Sequence, residues 1–258
     1  MTEHHDSTAT LSETVGVRTT IVNDTFAGRS LPRESFSGMD LRGADFRGSD
    51  LSMADFGKAT LEGANFEGAD MSGARFENAQ LRGALFADSR LLYARFSGAD
   101  VTQADFTRAF MHHTDLTGAS ADSARFTWAR LMHATLRGAR CAGADFTGVC
   151  LRFADCRNAD LSFTTLEFAD APLAKLQGAN LRDSLLFSAN FDGASFAGAD
   201  LTGASLGRAV LTNCHDIDRA VGLATISHVA PSAVDVNTFR RLGTLLPAAF
   251  LAGIGIEA

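Results

Sequence analysis

One reading frame of five residues runs through most of this chain. Stepping by five from Phe26, the positions read Phe26, Leu31, Phe36, Leu41, Phe46, Leu51 and onward to Leu211, 38 repeats without an insertion or deletion. Two residues before each large apolar residue, from Ala44 to Ala209, 28 of 34 positions hold Ala; the others are Ser49, Ser89, Thr114, Val149, Thr164 and Ser184. A unit this short has no core of its own and must stack on its neighbours. An α-helix fails, because five residues rotate it by about 500° and the large residues form no stripe. A plain strand fails too, since its faces alternate every two residues. Period two does fit locally: Ala and Leu or Phe point inward, with Asp, Asn or Arg outward between them. The remaining two residues must then turn a corner. Of 24 glycines, 17 fall two residues after the large apolar one, where a corner needs permissive backbone angles.

The middle of the chain sets the number of sides. Phe persists at Phe106, Phe126 and Phe146, while the alternate positions become Leu116, Leu136 and Cys156. This favours a repeat of twenty residues, four sides to a turn, with Phe26, Phe46, Phe66, Phe86, Phe106, Phe126 and Phe146 in one inward ladder. Stacked at the usual strand separation of about 4.8 Å, nine to ten coils make a rod on the order of 45 Å long.

The pattern A-(D/N)-(L/F)-x-x, sustained over about 190 residues, resembles the pentapeptide-repeat family. The resemblance implies an all-β fold, a right-handed quadrilateral β-helix with four pentapeptides per coil. The expected organisation is a disordered N-terminal tail over 1–16, the β-helix over 17–214, and a C-terminal cap or linker with short helices over 215–258. VRTTI at 17–21 alternates and is expected to add a first strand. After Leu211 the five-residue frame ends. The words GLATISHVAPSAV, TFRRLG and LLPAAFLAGIGI are similar to a segment that follows the repeats in some multidomain bacterial members, ahead of Toll/interleukin-receptor-like or other effector domains. Asp235 or Asn237 is placed to cap a helix through TFRRLG that Gly243 ends, and Pro247 to open another, PAAFLAG. The apolar residues of this tail favour a small helical cap on the last coil.

Chemistry is sparse. The chain has no run of 18 apolar residues and an N-terminus without a basic start or apolar stretch, so neither a membrane span nor a secretory signal is expected. Four cysteines lack metal-like spacing, which favours a reduced, cytoplasmic protein. Cys141, Cys156 and Cys214 fall on inward phases and only Cys150 points out. His4 and His5 lie in the polar tail. No hydrolase, metalloprotease or phosphate-binding motif occurs. The expectation is a non-enzymatic protein without cofactor or metal.

The formal charge is −7, but residues 26–212 hold 22 acids against 19 bases. Some members of the family, the fluoroquinolone-resistance type, mimic duplex DNA and engage DNA gyrase, which needs a dense carboxylate ladder. Here Arg75, Arg90, Arg95, Arg125, Arg130 and Arg140 share the outward phase with the aspartates. Gyrase binding is therefore the alternative expectation, and direct nucleic-acid contact is not expected. The first expectation is a protein-interaction scaffold. Stepping by twenty gathers the exceptions to the pattern onto one side, in three columns: Tyr93, His113, His133, Phe153 and Leu173; Leu92, His112, Met132, Arg152 and Pro172; Arg90, Phe110, Arg130, Cys150 and Asp170. Tyr93, Phe110, His112, His113, Met132, His133, Arg152 and Phe153 are the candidate contact residues for a protein partner or a second copy. The opposing reading is that the stacked rings only tie neighbouring coils together. His113 and His133 alone are too few ligands for a metal. Trp128, Phe163, Phe168 and Phe187 are assigned to other sides, Phe168 in one column with Trp128.

Overall fold

The computed structural model describes residues 20–22, 24–236, 238 and 246–255. Most pentapeptides share one conformation, built around a tight turn. In the repeat from Leu41, the amide of Ala44 donates to the carbonyl of Leu41 at 3.1 Å. The residue two after the apolar one takes positive φ, +65° at Gly43, which is the signature of a type II turn. That geometry puts Ala and Leu or Phe inside and turns the chain through a corner. The aspartates at the outward phase take part in it. The carboxylates of Asp50, Asp100, Asp105 and Asp145 accept the amide two residues on at 2.9–3.0 Å, so Asp opens the corner as well as facing solvent.

Four corners close a coil. Parallel bridges link residues twenty apart along the chain, among them Asp45 to Asn65 and Phe110 to Arg130. Backbone amides bond from coil to coil: Phe46 N–H donates to Asn65 O at 2.7 Å, and Gly48 N–H to Glu67 O at 2.9 Å. The core is two interlocking phenylalanine ladders. Phe46, Phe66, Phe86 and Phe106 stack 4.7–5.0 Å apart within 6° of parallel, and Phe56, Phe76 and Phe96 do the same at 4.7–4.9 Å. Rings of one ladder meet the other edge-on, as Phe86 meets Phe96 at 86°, an arrangement aromatic quadrupoles favour. The polar substitutes for Ala are satisfied inside: the hydroxyls of Ser49, Ser89 and Ser184 donate to the carbonyl three residues back at 2.7 Å.

At the N-terminal side, Thr20 bridges Asp40 and Ile21 enters the core; the rest of the expected first strand and the tail over 1–16 lie outside the described residues. At the other side the coiling runs on beyond 214. Asp200 pairs with Val221 and Val210 with Ala233, and three short parallel strands align, β1 (Leu185–Phe187), β2 (Ser205–Gly207) and β3 (Ser227–His228). Residues 215–233 thus wrap one more, irregular coil, whose 3-10 turns at Ile217–Arg219 and Leu223–Thr225 bury Ile217 and Leu223. A short helix, α1 (Ala248–Gly253), follows Pro247 and buries Phe250 and Leu251. Its Gly253 lies against the ring of His228 and Phe250 meets that ring edge-on at 5.5 Å. The expected helix through TFRRLG lies outside the described residues except Thr238, whose amide donates to the Asp235 carboxylate at 3.1 Å. Among the described residues, no helix is long and apolar enough to cross a membrane.

Candidate functional site

The corner position decides what this face presents. Corner residues are bonded to their counterparts one coil away: Tyr93 N–H to His112 O, His113 N–H to Met132 O and His133 N–H to Arg152 O, at 2.9–3.0 Å. Coil spacing therefore fixes ring spacing. Tyr93, His113, His133 and Phe153 form one continuous stack with centroids 4.8–4.9 Å apart and planes within 8° of parallel. Its ends are exposed, Tyr93 at 61% and Phe153 at 45%. All four residues sit at φ of 58–59°, a region that costs an L-residue roughly 1–2 kcal/mol and is an outlier for a bulky side chain. Glycine occupies half of the other corner positions of the frame, 17 of 34. The stack occupies the places where the backbone least favours rings.

Beside the stack, His112 and Met132 are half-buried and Arg152 is exposed. Burial, with Arg130 close by, pushes the His112 imidazole below its ordinary value. Arg152 pairs with Asp170 at 2.5 Å. Phe110 carries the guanidinium of Arg130 over its face, 4.8 Å from the ring centroid. Of the eight candidate residues, Tyr93, His113, His133 and Phe153 are brought together in one stack. No cluster of three or more potential metal ligands exists among the described residues.

Trp128 corrects the expected layout. It was assigned to another side, yet with Phe110, Arg130 and Cys150 it lines a groove of about 430 Å³. A corner residue borders both adjoining sides, and Trp128 directly precedes Ala129 and Arg130; that adjacency was the available signal. Its indole, 57% exposed, lies over Gly148, where a Cβ would come within 2.4 Å of the ring. The pair Arg108–Asp88, with contacts of 2.5 and 2.7 Å, continues the Trp128 column and also lines the groove. Phe168, in the same column, packs instead with Phe187 at 6.2 Å, and Arg208 lies over Phe187.

Outward charge is paired across the surface. Arg42 binds Asp40 and Arg47 binds Asp45, each with a contact of 2.7 Å, and Arg125 reaches Asp105 at 2.9 Å. The Arg47 guanidinium holds the Asp45 carboxyl below the usual carboxylate range.

Comparison with known proteins bears on the fold. No curated protein matches the sequence. Among solved structures, HetL from the cyanobacterium Nostoc sp. strain PCC 7120, a pentapeptide repeat protein involved in heterocyst differentiation regulation, superposes with a TM-score of 0.79 at 24% identity, covering 81% of this chain and 94% of its own. QnrB1, a plasmid-mediated fluoroquinolone resistance protein, aligns at 20% identity over 93% of this chain and 99% of its own, with a TM-score of 0.40. The likeness to HetL gives the coil its right hand. The family model described as pentapeptide repeats matches overlapping segments from residue 25 to 186 and again over 189–215. With the unbroken frame, the corner turns and the twenty-residue coil, this makes the chain a member of the pentapeptide-repeat family.

Proposed function

We propose that this chain is a non-enzymatic scaffold whose aromatic, histidine and arginine face binds another protein. The observation that carries the reading is the exposed stack Tyr93–His113–His133–Phe153, held at positive φ with the Trp128 groove beside it. Aromatic and arginine side chains are what interface centres favour. The gyrase-binding alternative draws less support. A DNA mimic needs unneutralised carboxylates at phosphate-like density, whereas many outward aspartates here hold arginine partners. We further propose that α1 and the residues around it cap the last coil.

The test compares the wild type with a variant carrying Phe110→Ser, His113→Asn, His133→Asn and Phe153→Asn, asparagine being tolerant of positive φ. Circular dichroism and urea midpoints check the fold. Affinity capture from the source cells, with sedimentation velocity of each purified chain, reads association. A partner or self-association retained equally by both chains would rule out the face.

A further inference from the structure

The groove between Trp128 and Phe110 has a charge that its own surroundings leave unanswered. On this face Arg90 reaches Asp70, Arg108 holds Asp88 and Arg152 holds Asp170. Arg130 has no carboxylate within 4.0 Å among the described residues. Its guanidinium carbon lies over the Phe110 ring, 4.8 Å from the centroid, and its N–H groups hold no side-chain hydrogen bond among the described residues. Those N–H groups form a fork suited to binding a carboxylate through two hydrogen bonds. Trp128, flat over Gly148, supplies an apolar wall beside it. The groove volume, about 430 Å³, suits a few side chains rather than a whole domain.

Resting on the reading of this face as an interface, we propose that the groove receives a segment of a partner protein in which an Asp or Glu adjoins an aromatic or large apolar residue. The carboxylate meets Arg130 and the apolar residue packs on Trp128. A second copy of this chain is the wrong occupant. A two-fold contact through this face would set the same columns against each other, bringing Arg130 toward its own copy, while Asp70, Asp88 and Asp170 are already engaged.

Trp128 is the single tryptophan of the chain, so its emission reports directly on the groove. A random twelve-residue peptide display library selected on the full chain should enrich Asp or Glu next to Trp, Phe or Leu. Synthetic, Trp-free versions of those peptides should shift Trp128 emission saturably. Arg130→Gln should weaken them at least tenfold, and Arg130→Glu should turn selection toward basic peptides. Arg82→Gln, on a different side, should leave binding unchanged. Enrichment of neutral or basic peptides on the wild type, absence of any saturable peptide, or affinity for Arg130→Gln within twofold of wild type would overturn the proposal. So would a response to phenylacetate as tight as to the peptides, which would mark a small-molecule site. Peptides insensitive to Arg130 but lost in the Phe110, His113, His133 and Phe153 variant would remove the groove and leave the interface standing.

Discussion

Replacing Tyr93, His113, His133 and Phe153 together by glycine sets two opposed effects against each other, and the balance says why the rings are there. Three stacked contacts are lost, at 4.9, 4.9 and 4.8 Å, each worth about 0.5–1.5 kcal/mol for aromatic pairs. The loss is about 1.5–4.5 kcal/mol, with little apolar burial to add at the exposed ends. Against it, four residues leave a left-handed conformation at φ of 58–59°, and each relieves roughly 1–2 kcal/mol. Glycine returns part of that through the greater freedom of the unfolded chain, about 0.4–1 kcal/mol per site. The net relief centres on about 3 kcal/mol, as does the stacking loss, so the two effects nearly cancel. The expected outcome, by urea unfolding, is a change of less than about 2 kcal/mol, together with loss of partner binding. A destabilisation beyond about 4 kcal/mol with binding retained would refute the reasoning, because the stack would then be a structural tie between coils.

Other outcomes follow from the same geometry. Phe106→Asp places a charge between Phe86 and Phe126 at a fully buried position and should abolish folding, whereas Asp105→Ala loses a turn bond and the Arg125 pair and should cost about 1 kcal/mol; similar urea midpoints for the two would contradict the inward assignment. Gly148→Ala should move Trp128 and shift its emission, since the added Cβ meets the indole, while Gly83→Ala, also at positive φ but with nothing within 4 Å, should cost only the backbone strain of about 1 kcal/mol. Burial holds His228 below its ordinary value of 6.5, so the unfolded or undocked state binds the extra proton: stability is complete above pH 6.5 and falls as pH drops below it. Amides of α1 should therefore lose hydrogen-exchange protection between pH 7.5 and 5, and His228→Phe should remove that dependence; unprotected amides at pH 7.5 would refute the cap. The burial-raised thiols of Cys141 and Cys156, the latter pushed up to about 12, should resist Ellman's reagent in the native chain while Cys150 reacts.

The sequence made the coil legible because the frame is set by side-chain size alone: a Phe or Leu every five residues, with Ala before it, admits one way of stacking. The side carrying Tyr93, His113, His133 and Phe153 followed from counting by twenty. Trp128 was misplaced because the count assigns a corner residue to one side, while its side chain borders the groove that Phe110 and Arg130 line on the adjoining side. The outward aspartates were read as surface charge; their turn bonds, such as Asp50 to the Ser52 amide, depend on the direction of a carboxylate that no periodicity records. The extra coil over 215–233 escaped for the opposite reason. Once Leu211 ends the frame, Ile217 and Leu223 enter the core from 3-10 turns at spacings of 21 to 23 residues between bridged partners, and no fixed step finds them.

Because every coil is locked to the next by partners twenty residues apart, the chain behaves as a dial with four stops. Deleting one pentapeptide ahead of Tyr93 would keep each inward residue inward, yet everything after the cut would turn by a quarter relative to what precedes it. A cut between His113 and Trp128 would send the two halves of the ring stack to different sides and part Phe110 from Trp128 and Arg130. Duplicating twenty residues would lengthen the same face without turning it. The surface can thus be extended only in whole turns, and any shorter change in length redirects it toward a different neighbour.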